Sequence, residues 1–259
     1  LHKILKILNL SSTNTKGSKD SYYPVFFKKY LIKFLKFDFK KIQQSLILKN
    51  IARQLDLEKI AAHSLKREVE LHMIDSYFSE KSEEIIKTWH NDIGFKEKLD
   101  QKHNTHVKNF YEVCESTIYN KKTNNSARGV KFFIYLTNVQ SNNGALAIIP
   151  FSNEIVKAIT VLILEKKINL APYWSLENLR SLIQDKKIYE HLKEKIEEKK
   201  IISFLENTKF INESSKDTTS FDIQMKKGGI IIFDELCVHR GAAPKKNSRL
   251  VLRYLYRKK

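Results

Sequence analysis

Two hydrophobic periodicities divide the chain. In residues 26–55 (FFKKYLIKFLKFDFKKIQQSLILKNIARQL) apolar positions recur at three- and four-residue steps, among them Tyr30, Phe34 and Leu35, then Ile42, Leu46 and Ile51, with lysines between them. This spacing predicts a basic amphipathic helix whose apolar stripe packs against the rest of the fold. A polar, turn-rich stretch at 11–24 separates it from a short N-terminal segment. After residue 66 the period moves toward two. KFFIYLTNV (131–139) sets Phe132, Ile134 and Leu136 on one face and Phe133, Tyr135 and Thr137 on the other, as a strand does. Asn142-Asn143-Gly144 supplies a tight turn into ALAIIP, and the pair reads as a hairpin. GGIIIFD (228–234) and RLVLRYLY (249–256) read as two further strands, the second alternating Leu250, Leu252 and Tyr254 against Arg249, Val251 and Arg253.

Between these strand groups the helical period returns. Leu176, Leu179 and Ile183, then Ile188, Leu192 and Ile196, predict helices within residues 154–206, with Ser175 as an N-cap. The segment is expected to be a lid over one end of a strand-built body, being too short for a core of its own. The polar loop at 120–127 is assigned no chemistry.

Composition bounds the function. A length of 259 residues with 42% hydrophobic positions allows one sizeable domain, and 7 Gly with 4 Pro exclude long flexible linkers. The formal charge of +18 raises nucleic acid or anionic lipid as partners. The surplus is almost all lysine spread along the whole chain, which favours a solvated surface over a dedicated nucleic-acid face. Cys114 and Cys237 are far apart and in no metal-type spacing, so neither a disulfide framework nor a zinc ribbon is indicated. The N-terminus, interrupted by Lys3 and Lys6, does not read as a signal peptide, and no apolar run reaches the roughly 20 residues of a membrane span. A reducing cytoplasm is the expected location.

The candidate chemistry lies at two places. Trp89-His90-Asn91-Asp92 holds the chain's only His-x-Asp; in an extended segment positions 90 and 92 project from one face about 7 Å apart, so an imidazole and a carboxylate can share a metal. One further His completes a two-His-one-carboxylate face suited to iron(II), with positions left open for substrates. GGIIIFDELCVHRGAAPKKNSRLVLRYLY supplies His239 just past an apolar strand and Arg249 ten residues later, at the start of the next strand. An arginine there offers a planar fork for a carboxylate, and Arg253, on the same strand face, is its rival. His103 and His106 could bind zinc if helical, but no third ligand is evident. His2, His63, His72 and His191 read as ordinary surface or hydrogen-bonded residues, and Cys237 as a small buried residue.

Taken in order, WHND, KFFIYLTNVQSNNGALAIIPFSN and GGIIIFDELCVHRGAAPKKNSRLVLRYLY resemble the phytanoyl-CoA dioxygenase family of iron(II)- and 2-oxoglutarate-dependent enzymes, over about residues 67–153 and 224–257. The resemblance implies a mainly β fold with flanking helices, a double-stranded β-helix or jelly-roll barrel; the N-terminal helical region (1–66) and the helical lid (154–206), read from periodicity alone, match nothing in the family and are expected to belong to the same single domain over 1–259. It implies His90, Asp92 and His239 as ligands of Fe(II), Arg249 as the clamp for the far carboxylate of 2-oxoglutarate, Phe133 as an aromatic lining that cosubstrate, and O2 as the second cosubstrate. A carboxylate at position 92 argues for hydroxylation rather than halogenation. Two positions depart from the pattern: a proline-glycine-serine-histidine element appears as Pro150-Phe151-Ser152-Asn153, and a cosubstrate-binding serine is replaced by Gly241. The expected activity is oxidation of an unactivated C–H bond in a small or medium-sized metabolite, with succinate and CO2 released. A coenzyme A or carrier-protein thioester is the alternative substrate. A noncatalytic binding protein on the same barrel and a nucleic-acid demethylase are the rival readings.

Overall fold

A computed structural model describes residues 39–95, 129–213, 215, 217 and 219–259. The N-terminal segment, the stretch 11–24, the first part of the basic helix, the loop 120–127, His2, His103, His106 and Cys114 lie outside the described residues. The described part of the expected basic helix is α1 (Phe39–Gln54), and Asp56, in the left-handed region at φ 50°, breaks it from α2 (Leu57–Leu65). Leu48, Ala52, Leu57 and Ala61 form the buried stripe that these two helices lay on a sheet.

Among the described residues eight strands follow the alternation in the sequence: β1 (Val69–Ser79), β2 (Lys87–His90), β3 (Gly129–Tyr135), β4 (Leu146–Ile148), β5 (Asp222–Ile223), β6 (Ile230–Asp234), β7 (His239–Gly241) and β8 (Arg249–Lys258). They form two four-stranded sheets with orders β1-β8-β3-β6 and β2-β7-β4-β5. Every pairing is antiparallel.

The two-residue period sorts the strands into an outer and an inner face. Phe132, Ile134, Leu252 and Tyr254 join the core under α1 and α2, and the Tyr254 hydroxyl donates to the Leu48 carbonyl at 3.0 Å. Phe133, Tyr135, Val251, Ile231 and Phe233 face the other way and meet Leu146 and Cys237 of the second sheet's side. Among the described residues the sheets face each other without closing into a barrel, and helix exceeds strand. The fold is therefore mixed helix and antiparallel sheet rather than mainly β.

Two local expectations need correction. The turn at 142–144 exists, with Gly144 at φ 77°, but β3 and β4 lie in different sheets, so the segment is a crossing between sheets and not a hairpin. The reason is visible in the ladder: β3 already has β8 on one side and β6 on the other, leaving no edge for β4. The helices of the presumed lid, α3 (Ser152–Leu164), α4 (Leu176–Gln184), α5 (Lys186–Lys193) and α6 (Glu198–Thr208), pack on the outer face of the second sheet. There they form the largest of the three buried clusters, with Trp89, Ala147, Ile149 and Val238. Ten residues of α3 are buried, which makes it a core helix and not a movable cover. Ser175 caps α4 as expected, accepting from the Asn178 amide within a reciprocal capping box.

Candidate metal centre

The second sheet sets two of the three expected ligands opposite each other: in the β2–β7 ladder His90 is the register partner of His239. Their ring centroids are 4.4 Å apart. β2 ends at His90, so Asp92 does not project from a continuing strand as the extended reading assumes; a turn delivers it. Asn91 builds that turn. Wholly buried, it donates through Nδ2 to the carbonyls of Tyr173 (2.8 Å) and Trp174 (3.1 Å), and its Oδ1 accepts from the amides of Ile93 and Gly94. Asp92 Oδ1 then lies 3.8 Å from His90 Nε2, and Oδ2 lies 3.5 Å from His239 Nε2. One donor atom from each residue falls within 4.8 Å of the others, a spacing that admits a metal ion.

Hydrogen bonding assigns the imidazole tautomers. His90 Nδ1 sits 2.6 Å from the Thr88 carbonyl, and His239 Nδ1 sits 2.9 Å from the Cys237 carbonyl. A carbonyl oxygen only accepts, so each Nδ1 carries the proton and each Nε2 turns a lone pair into the cluster. Burial, helped by His239, pushes His90 down to about 3, and burial lowers His239 as well. For Asp92 burial alone acts upward, but Lys131 and the two histidines outweigh it and hold the carboxyl well below the usual carboxylate range. Two neutral imidazoles and an ionised carboxylate converge with no donor among them. That set calls for a cation, and its nitrogen and oxygen donors fit iron(II).

A cavity reaches these ligands, lined by Phe133, Lys131, Leu146, Arg249 and Arg253 from the sheets, with Lys87 and Ile86 near His90. No residue of 154–206 lines it; from that segment Trp174 packs beside His90, ring centroids 5.1 Å apart, and Ser175 bridges to the His90 backbone. The two arginines differ in their partners. Arg253 makes a two-point ion pair with Asp75, Nε to Oδ1 at 2.8 Å and Nη2 to Oδ2 at 2.6 Å. Arg249 is buried and makes no ion pair among the described residues, its guanidinium 5.5 Å from the ring of Tyr135. Arg249 Nε, the Tyr135 hydroxyl and the hydroxyl of Ser79, which stands opposite Arg249 in the β1–β8 ladder, are all buried without a hydrogen-bond partner. Two orphaned hydroxyls, on Tyr135 and Ser79, thus accompany a guanidinium whose own Nε is unbonded and which makes no ion pair among the described residues.

The departures from the expected pattern have steric counterparts. A Cβ on Gly241 would lie 2.9 Å from Ile86 Cβ, so a serine there has no room while Ile86 stands opposite. Gly144 brings its backbone against the Arg249 stem, where a Cβ would lie 3.0 Å from Cδ. In the Pro150–Asn153 element, Ser152 is the working residue: its hydroxyl donates to the Ile149 carbonyl at 2.6 Å and accepts from the Val238 amide at 2.8 Å, tying β4 to the approach of β7. Phe133 lines the cavity and meets Phe233 edge-on at 5.1 Å, and Phe233 in turn meets His239 at 5.4 Å. Sequence reasoning missed Lys131, Ser79, Asp75, Asn91 and Trp174. For Lys131 the signal was present, since it shares a strand face with Phe133; for the others nothing local marks them. The histidines read as bland remain so: His63 is exposed, His72 bonds Arg257 at 2.9 Å and His191 lies 3.3 Å from Glu194.

No family model and no curated protein matches the chain. Solved structures similar to it include EvdMO1 (13% identity, TM-score 0.38, covering 77% of this chain and 30% of that one). Another is HygX from Streptomyces hygroscopicus with nickel and 2-oxoglutarate bound (14% identity, TM-score 0.47, covering 99% and 76%). A third is the non-heme alpha ketoglutarate dependent epimerase SnoN from nogalamycin biosynthesis (10% identity, TM-score 0.42, covering 81% and 55%). The chain thus spans under two thirds of the length of EvdMO1 and SnoN. Among the described residues no helix is long and apolar enough to cross a membrane.

Proposed function

We propose that this chain is an iron(II)- and 2-oxoglutarate-dependent oxygenase that hydroxylates a small or medium-sized metabolite, and that its two facing sheets are those of a double-stranded β-helix. The observation that carries this reading is the juxtaposition, in one cavity, of a His-Asp-His cluster with both Nε2 lone pairs turned inward and an unpaired, buried Arg249. In this reading His90, Asp92 and His239 hold the metal, and Arg249 pairs with the far carboxylate of 2-oxoglutarate. Bound there, iron(II) would activate O2 with oxidative decarboxylation of 2-oxoglutarate to succinate and CO2, one oxygen atom passing to the substrate.

The protein's own contribution is orientation and exclusion of water. The Nδ1 bonds to Thr88 and Cys237 fix both imidazole rings, and Asn91 fixes the turn carrying Asp92. In this reading Tyr135 and Ser79 offer donors beside Arg249, and Phe133, which lines the same cavity as the three ligands and Arg249, lines the cosubstrate. Leaving a buried donor unmet costs about 1–3 kcal/mol, so an anion that meets Arg249 and Tyr135 together recovers a deficit already present in the fold.

The test is anaerobic titration of the protein with Fe(II) and 2-oxoglutarate, followed by succinate release in air. Wild type is expected to bind both and to release succinate slowly even without a substrate, while His90→Ala, Asp92→Ala and His239→Ala each lose iron and turnover. Normal iron affinity in any of the three variants contradicts the ligand set.

A further inference from the structure

Among the described residues Lys131 is the cation that pairs directly with the metal cluster. It starts the inner face of β3, two residues before Phe133, and its side chain is 9% exposed. Its ammonium bonds Asp92 Oδ2, the carboxylate oxygen nearer His239. Other acids near it are already taken: Glu235, wholly buried, is held by Arg257 through Nε at 3.0 Å and Nη2 at 2.7 Å, and Asp75 is held by Arg253. The register partners of Lys131, Phe233 and Leu255, are apolar. Among the described residues Asp92 is therefore its one ion-pair partner, and this pair sits where the metal would draw on the same carboxylate.

Two consequences follow from charge and geometry. A carboxylate with one oxygen committed to an ammonium has the other left for an ion, which keeps it from closing on a metal through both oxygens. An ammonium one carboxylate away from a divalent ion also repels it through a medium less screening than water. We infer that Lys131 is a positioning residue for the metal, an internal counter-ion that restricts Asp92 to one metal-binding oxygen and holds divalent affinity down. The open coordination positions that an oxygenase needs are then protected from the carboxylate's second oxygen. This inference rests on the metal-centre reading above and extends it to a residue outside the ligand set.

The experiment uses Co(II) as probe on the full chain, with affinity from calorimetry and coordination number from the visible ligand-field spectrum, neither of which depends on turnover. Wild type is compared with Lys131→Met, Lys131→Gln and Lys131→Arg, each first checked for a cooperative thermal transition. Removing the charge is expected to tighten Co(II) binding by about tenfold or more, because both the repulsion and the competition for Asp92 disappear. The spectrum of Lys131→Met should also weaken in absorptivity, as a two-oxygen carboxylate raises the coordination number. Lys131→Arg keeps the charge and should stay within about threefold of wild type. If Lys131→Met does not fold, Lys131→Gln makes the same charge comparison with a polar, uncharged end on a side chain one atom shorter. Unchanged or weaker Co(II) binding in the uncharged variants overturns the role of Lys131. Absence of Co(II) binding in wild type itself refutes the metal centre, and with it this inference.

Discussion

Asp75 and Arg253 stand opposite each other in the β1–β8 ladder and join through two hydrogen-bonded ion contacts of 2.8 and 2.6 Å. The Asp75 side chain is 1% exposed, and that arginine is its ion-pair partner. This one pair separates two arginines that the strand pattern leaves equivalent. Arg253 is engaged within the fold, and Arg249 makes no ion pair among the described residues.

Arg249→Ala is accordingly expected to raise the 2-oxoglutarate concentration needed for succinate release by about 10²-fold, with iron binding retained, since it removes a charge-assisted pair from a buried site. Tyr135→Phe should raise it by about tenfold, the worth of one hydrogen bond to a charged group. Arg253→Ala should instead cost about 3 kcal/mol of stability by stranding Asp75, and Asp75 and Arg253 replaced together by apolar residues should cost less than that. Urea denaturation and cosubstrate titration on the same preparations check both halves; an Arg253 variant that loses 2-oxoglutarate affinity while keeping full stability would move the clamp.

Asn91 predicts a variant that affects the metal without touching it. Both ends of its amide are used, donors to the carbonyls of Tyr173 and Trp174 and an acceptor for the Ile93 and Gly94 amides. Asn91→Asp turns the donor end into a second acceptor facing two carbonyl oxygens, and it should cost about 2–4 kcal/mol in folding and weaken Co(II) binding by about tenfold. Chemical denaturation and calorimetry measure the two effects. Wild-type metal affinity in this variant would show that Asp92 does not rely on the turn.

The pH dependence follows from the depressed histidines. His90 is pushed down to about 3 in the fold, whereas an unfolded imidazole titrates near about 6.5. Below about 6.5 the unfolded chain takes up a proton that the folded, metal-free chain refuses. Its contribution is thus complete above about pH 6.5 and is lost as pH falls toward about 3, by up to about 1.4 kcal/mol per pH unit. Metal-free wild type measured in urea from pH 7 to 4 should show this slope, and His90→Gln should reduce it. Because His90 stays neutral in the fold, Co(II) affinity should hold nearly level between about pH 8 and 5.5, where an exposed histidine site would already lose binding to protons.

Much of this site was legible along the chain. A period of two places Arg249, Val251 and Arg253 on one strand face and Phe133 with Tyr135 on another, because successive side chains of a strand must alternate whatever the strand pairs with. The same local rule placed the Ser175 cap, whose hydroxyl acts on an amide three residues on. It also held the clue to Lys131, which shares the face of Phe133. What alternation does not carry is the identity of the neighbour. That Asp75 takes Arg253 is a contact between residues 178 positions apart. That β4 leaves β3 for the other sheet depends on β6 and β8 having filled both of its edges, and that α3 to α6 wall a core rather than close a mouth depends on the apolar outer face of β2, β4 and β7. Local sequence sets which way each side chain points, since that is decided by its own backbone; tertiary structure alone decides which charges find partners and which are left for a ligand, since that is decided by what the distant chain brings to the same face.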